Sequence, residues 1–219
     1  MTAWILLFVA LQGSVDEGTF VVREDTVEVG RETFRIAAGP IALGRTGWRL
    51  ATRVRYDRER PAVVLASTLE VGADSQPLSL SFDVADPRGP QQVLGQLSRD
   101  RLTVRLLGQR SEGAREFPVT GRVAVLDDSI YAPYVFVAWR AGTGPVTAIV
   151  PRAGREETLR VEDLGTAATT LNRDPATLRH ITLTGGANRL VHLWLDTDGH
   201  LLKIEIPSRR VRVERRPPA

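Results

Sequence analysis

The sequence predicts a mainly β protein: a single curved antiparallel sheet, a half-barrel or open barrel, enclosing one central helix. Three observations predict it. From Thr19 onward, apolar and polar residues alternate with period two in one run after another. Turn residues separate these runs at intervals of about eight to twelve residues, the spacing of a sandwich or barrel. One mid-chain stretch departs from the alternation and carries helix-start and helix-stop residues instead.

The alternation is clearest where Leu50, Thr52, Val54 and Tyr56 interleave with Arg49, Ala51, Arg53 and Arg55. One face is apolar and the other carries arginine, as in a strand with one wet side. Asp57 to Pro61 breaks the run and Val63 to Val71 resumes it, which reads as a long hairpin. Further alternating runs are Leu78 to Val84, Leu102 to Leu106, His180 to Thr184, Leu190 to Leu195 and Leu201 to Ile206. Between the last two, Asp198-Gly199 supplies residues that tolerate positive φ in a tight turn. The tail from Arg209 starts as an alternating strand, read as a solvated sheet edge guarded by charge, and residues 216–219 read as a disordered end.

The departing stretch runs from Leu126 to Gly142. Asp128 or Ser129 can cap a first helical turn, Pro133 sits early enough to be tolerated, and Gly142 can end the helix, giving a helix over about Ser129 to Ala141. Its apolar residues spread around the axis: Ile130, Tyr134 and Val137 on one side, Tyr131, Val135 and Trp139 on another. A helix apolar nearly all round is buried on more than one side, as inside a curved sheet. A buried strand from Val135 to Trp139 is the alternative.

Length and composition bound the rest. A chain of 219 residues, 42% hydrophobic and 25% charged, suits one globular core and excludes a disordered chain or a polytopic membrane protein. Cysteine is absent, which removes disulfides, thiolate metal sites, a cysteine nucleophile and lipid attachment to an N-terminal cysteine. The net charge of +3 is too small an excess to argue for nucleic acid, although Lys203 is the only lysine and arginine carries nearly all the positive charge. Residues 1–17 read as a signal peptide: an apolar run of about nine residues is too short to span a bilayer, and the acidic pair Asp16-Glu17 follows. No Lys or Arg precedes the run, and Leu11 and Gly13 make a poor cleavage site, so a buried first strand or helix is the alternative. The expected location is the periplasm or the exterior, with residues 18–215 as one domain.

Catalytic patterns are missing. No G-x-S-x-G occurs, and Asp127-Asp128-Ser129 serves better as a helix cap than as a triad fragment. Asp196-Thr-Asp-Gly-His200 begins like a calcium loop but has Leu201 where glycine is needed and Pro207 where a bidentate glutamate is needed. His180 and His192 could meet on adjacent strands, yet no third zinc ligand is announced. Glu156-Glu157 and Glu162-Asp163 read as solvated loops, and Gly142-Thr-Gly144 as a turn. The reading is therefore of a non-enzymatic protein without metal or cofactor. Its candidate ligand residues are the aromatics Trp48, Tyr131, Tyr134, Phe136, Trp139 and Trp194, which either line an apolar cavity or fill the core.

The element order resembles the half-barrel of the periplasmic lipoprotein carriers and related exported bacterial proteins. The resembling residues are Val29-Gly-Arg-Glu-Thr-Phe34 in an early hairpin, Val125-Leu-Asp-Asp-Ser129 leading into the apolar helix, and the closing Trp194 to Lys203. The resemblance implies a curved sheet around a helix with an apolar concave face able to take acyl chains or a hydrophobic partner. Its expected partner is thus a lipid-like or hydrophobic ligand; separately, the arginines of the tail could meet a membrane surface. A structural or protein-interaction domain is the other reading, and a hydrolase with an unrecognised site a third.

Overall fold

The computed structural model describes residues 14–217, apart from 59–60, 87–88, 90, 109–111, 141 and 186–188. Most of the expected signal peptide therefore lies outside the described residues, and residues 14–17 open the first strand. Among the described residues, fifteen strands form one sheet. They are β1 (Ser14–Glu24), β2 (Val27–Pro40), β3 (Thr46–Tyr56), β4 (Val63–Gly72), β5 (Pro77–Ala85), β6 (Gln91–Ser98), β7 (Arg101–Gly108) and β8 (Glu112–Pro118). After these come β9 (Val123–Val125), β10 (Gly144–Val150), β11 (Arg155–Leu171), β12 (Asp174–Gly185), β13 (Arg189–Leu195), β14 (Leu201–Ile206) and β15 (Val211–Arg215). One short helix, α1 (Tyr134–Trp139), sits between β9 and β10.

The order in the sheet is β8-β7-β6-β5-β4-β3-β2-β1-β15-β14-β13-β12-β11-β10-β9. Short turns dictate antiparallel neighbours almost everywhere. The exception is β9 with β10, which are parallel because the α1 segment carries the chain back between them. Pairing of β1 with β15 joins the two halves, so the arginine-rich tail is an interior strand bonded on both sides and not a sheet edge. The outermost strands, β8 and β9, are joined by a short connection, and β9 lies against β5. The sheet is thus a large open coil. Twist of the strands supplies the curvature.

Alternation puts one row of each strand on the inner face. Ile36, Leu50, Val54, Leu69, Phe82, Val93 and Leu102 line one half, and Val191, Leu193, Ile204 and Val213 the other; all are buried. Each such side chain contributes about 1.5–3 kcal/mol relative to exposure. The outer face of β3 carries Arg49, Arg53 and Arg55, as the alternation requires.

Two strands are longer than their neighbours: β11, which the sequence pattern did not reveal, and β12, of which it revealed only His180 to Thr184. β11 and β12 pair from Leu159–Gly185 to a tip at Leu171–Asp174, with a register shift between Asp163 and Thr166 where Gly165 adopts φ 72°. Such a shift bends a strand. Beyond it the hairpin becomes an arm laid on the outer face of β13 to β15. Glu156, Glu157, Glu162 and Asp163, read from sequence as loops, are strand residues of β11.

Gly47 marks the tightest approach within the sheet. A Cβ there would stand 2.1 Å from the Val71 carbonyl oxygen and 2.7 Å from Ile41 Cδ1. Gly47→Ala is expected to lower stability by about 1–3 kcal/mol through overpacking. The check is a urea denaturation curve with an unchanged slope and a lower midpoint.

Candidate functional site

The segment Leu126 to Arg140 passes through the coil, and its two ends differ in chemistry. Residues Ile130 to Ala138 are buried without interruption. Where the segment enters, its backbone is held by polar side chains from many strands. Asp127, 1% exposed, takes a two-pronged ion pair from Arg152 at 2.6 and 2.7 Å and caps the Ser129 amide at 2.7 Å. Breaking a buried pair of this kind costs about 3–5 kcal/mol. The Tyr56 hydroxyl donates to the Ser129 carbonyl at 2.7 Å, and Arg209 donates to that of Asp128 at 2.7 Å.

Glu32 is the central member of this polar end. It lies on β2 in the same inward row as Phe34 and Ile36 and is fully buried. Its carboxyl accepts the backbone amides of Tyr131 at 2.8 Å and Ala132 at 3.0 Å, two donors with no helical partner. Burial pushes its pKa up to about 8, against the opposing pull of the two amides. Burial likewise raises the Tyr131 phenol to about 12.

The helix is shorter than the sequence suggests. It spans six residues, Tyr134–Trp139, preceded by Pro133 with no side-chain cap. Proline disfavours helical geometry at the residue before it, and the Tyr131 and Ala132 amides are spent on Glu32. At the other end Arg140 donates to the carbonyls of Asp74 at 2.6 Å and Val123 at 3.0 Å, fixing the chain before Gly142 is reached.

Of the predicted ligand residues, Tyr131, Tyr134 and Phe136 are packed in the main core, each at most 3% exposed. The Tyr134 hydroxyl accepts from Arg189 at 2.7 Å. Trp48, Phe136 and Trp139 form an edge-to-face cluster, with ring centroids 5.9 Å and 5.7 Å apart. Trp48 and Trp139 are only half-buried, and Trp139 Nε1 donates to the Gly199 carbonyl at 3.0 Å. They stand at the end where the segment leaves the coil, as does Leu43, 59% exposed in the β2–β3 turn. Trp194 does not join them. It lies outside the main core cluster, stacked on His180 at 3.9 Å with the rings within 2° of parallel.

Around Trp194 the arm creates a second buried layer. Lys203, directly opposite Trp194 on β14, is 2% exposed and donates to the Thr170 carbonyl at 2.8 Å and Thr169 Oγ1 at 3.0 Å. Glu205 stands 3.0 Å from its ammonium. His180 Nε2 and His192 Nδ1 do meet, at 2.8 Å, sharing one proton as a hydrogen-bonded pair. Burial, and then the neighbouring His192, lower the His180 pKa. Asp196, Asp198 and His200 are close enough to offer three metal ligands. The Asp196 carboxylate, however, is occupied by the amides of Asp198 and His200 and by the His200 ring, which is how the hairpin turn is built.

A groove of about 660 Å³ lies on the outer face of β3 to β7 and is lined by Arg49, Glu70, Ser79, Ser81, Gln96 and Arg105, among others. None of the six aromatic residues borders it. Glu70 is satisfied there by Arg49, Ser79 and the Ala42 amide, which hold its pKa down against the effect of its burial.

Glu32, Tyr56, Arg152 and Lys203 were missed by sequence reasoning. The signal for Glu32 was present: a glutamate in phase with Phe34 and Ile36 on an alternating strand. Arg152 and Lys203 carried no such signal.

No family model matches the chain, and no curated protein sequence matches it. Among solved structures it is similar to a beta-barrel-like protein of domain of unknown function DUF1849 from Brucella abortus. The two share 13% identity over 91% of this chain and 94% of that one, with a TM-score of 0.50. This likeness carries the fold alone: a mainly β, open, barrel-like sheet.

Because Glu32 binds its proton more tightly when folded, its contribution to stability is full below about pH 4.5 and is lost as pH rises to about 8. The stability of the wild type relative to Glu32→Gln is therefore expected to decline with pH across that window, at up to about 1.4 kcal/mol per unit. Paired denaturation curves at pH 5, 6.5 and 8 check it; a difference that grows with pH contradicts it.

Proposed function

We propose that this chain is an exported, non-enzymatic binding or carrier protein that takes a lipid-like or hydrophobic ligand at the aromatic end of its coil. The observation that carries the reading is the half-buried pair Trp48 and Trp139, packed edge to face, with Leu43 exposed in the turn that leads into the strand carrying Trp48. An apolar chain laid there gains about 25 cal/mol for each Å² removed from water and requires few hydrogen bonds. Contact is at the rim, because the α1 segment occupies the interior. Glu32, Asp127, Asp196 and the three histidines are engaged in structural bonds, which supports a non-catalytic role.

A second reading, an envelope interaction domain, is favoured by the filling of the core by α1. In that case the same rim meets a protein partner.

Titration with an environment-sensitive apolar dye and with a long-chain fatty acid separates the two. The first reading expects saturable binding, quenched tryptophan emission, and at least about tenfold weaker affinity in a Trp48→Ala/Trp139→Ala variant. Absence of saturable binding to the folded wild type, or equal affinity in the variant, rejects the carrier reading.

A further inference from the structure

The tip of the β11–β12 arm and the β1–β15 seam enclose a second site, on the face of the sheet opposite α1. A cleft of about 370 Å³ opens between them. Three guanidinium groups from separate elements line it: Arg23 on β1, Arg212 on β15 and Arg173 in the β11–β12 turn. Arg23 and Arg212 are direct cross-strand partners. Like charges in that relation destabilise a sheet unless something between them compensates.

The carboxylates nearby are already committed. Glu214 accepts Arg23 at 2.7 Å and the Asn172 amide at 3.3 Å. Glu205 holds Lys203 at 3.0 Å and Arg212 at 3.2 Å, and Asp25 pairs with Arg210 at 3.2 Å. Arg173 has no ion pair among the described residues. Its φ of 80° lies in the left-handed region, which non-glycine side chains rarely adopt, and it follows Asn172 at φ 51°. The turn therefore holds a cation without an ion pair among the described residues beside two arginines that are each ion-paired, and Asp25, Thr26, Thr170 and Glu214 share the lining.

The arm is held in place independently of any ligand. Asn172 Nδ2 donates to the Arg215 carbonyl at 3.0 Å, and Lys203 fastens Thr169 and Thr170 from below. The cleft is thus present before anything enters it, which lowers the cost of binding.

We propose that this cleft binds a phosphate-type oxyanion, with Arg173 closing over it from the arm and Arg23 and Arg212 receiving it from the sheet. Planar guanidinium groups match the oxygens of such an anion in two-pronged fashion. The group can arrive as a free phosphate or as a phospholipid headgroup. The site is independent of the apolar rim and stands or falls separately from it.

The test uses the purified protein and Arg173→Gln, a variant of a residue that makes no ion pair among the described residues. Inorganic phosphate is titrated calorimetrically, and co-sedimentation is measured with phosphatidylglycerol and with phosphatidylcholine vesicles. Hydrogen exchange of the Leu171 to Asp174 amides is followed in parallel on the wild type. Binding of phosphate or of phosphatidylglycerol vesicles, weakened at least about tenfold in Arg173→Gln, is the expected result. Slowed exchange at the arm tip accompanies it. A response to phosphate without vesicle binding assigns the free anion, and vesicle binding specific to phosphatidylglycerol assigns the headgroup. No response in either arm, or responses that coincide in wild type and variant, overturns the proposal.

Discussion

A coiled sheet of this size has an inner face that its own side chains do not fill, and the whole structure depends on what is put there. Small barrels close over their own residues; larger ones leave a lumen. Here the chain supplies the filling itself, by breaking its meander after β9 and sending Leu126 to Arg140 through the coil. Backbone inside a core must find partners for its amides and carbonyls. A six-residue helix meets only part of that need. The remainder falls to Glu32, Tyr56 and Arg209, side chains that reach the segment from β2, β3 and the β14–β15 turn, and to Asp127 within the segment itself.

That division sets the character of the two ends. At the entry, charged groups are drawn inward because backbone needs them, and burial then perturbs Glu32 and the neighbouring phenols. At the exit the segment finishes in aromatic side chains, leaving Trp48 and Trp139 part way to solvent. The outer face follows different rules. There the arm of β11 and β12 supplies a local second layer, so that Lys203, on the wet side of β14, is more buried than many apolar residues.

Much of the fold was legible in the sequence because it rests on local chemistry. The runs Leu50 to Tyr56, Leu78 to Val84 and Leu201 to Ile206 all lie within strands, and Gly199 turns at φ 84° where Asp198-Gly199 indicated a tight turn. What escaped is non-local. Pairing of β1 with β15 makes the tail an interior strand, and nothing in the tail itself announces its partner. The helix shrank because Pro133 and Glu32, the latter about a hundred positions away, both act on the residues expected to begin it. For the site, the sequence marked Trp48 and Trp139 only as two of six aromatics, and the structure brings these two together. Alternation could not tell that Trp194, on the same type of strand, faces outward beneath the arm.

If the Leu126 to Arg140 segment is permanent core, any ligand must be accommodated around it. Native-state hydrogen exchange of the Tyr131, Ala132 and Tyr134 to Ala138 amides tests this most directly. Amides in a permanent core exchange only through global unfolding, at the free energy found by denaturation, and that is the expected result here. Exchange of the same amides through a low-energy local opening, with the strands on either side still protected, would contradict it.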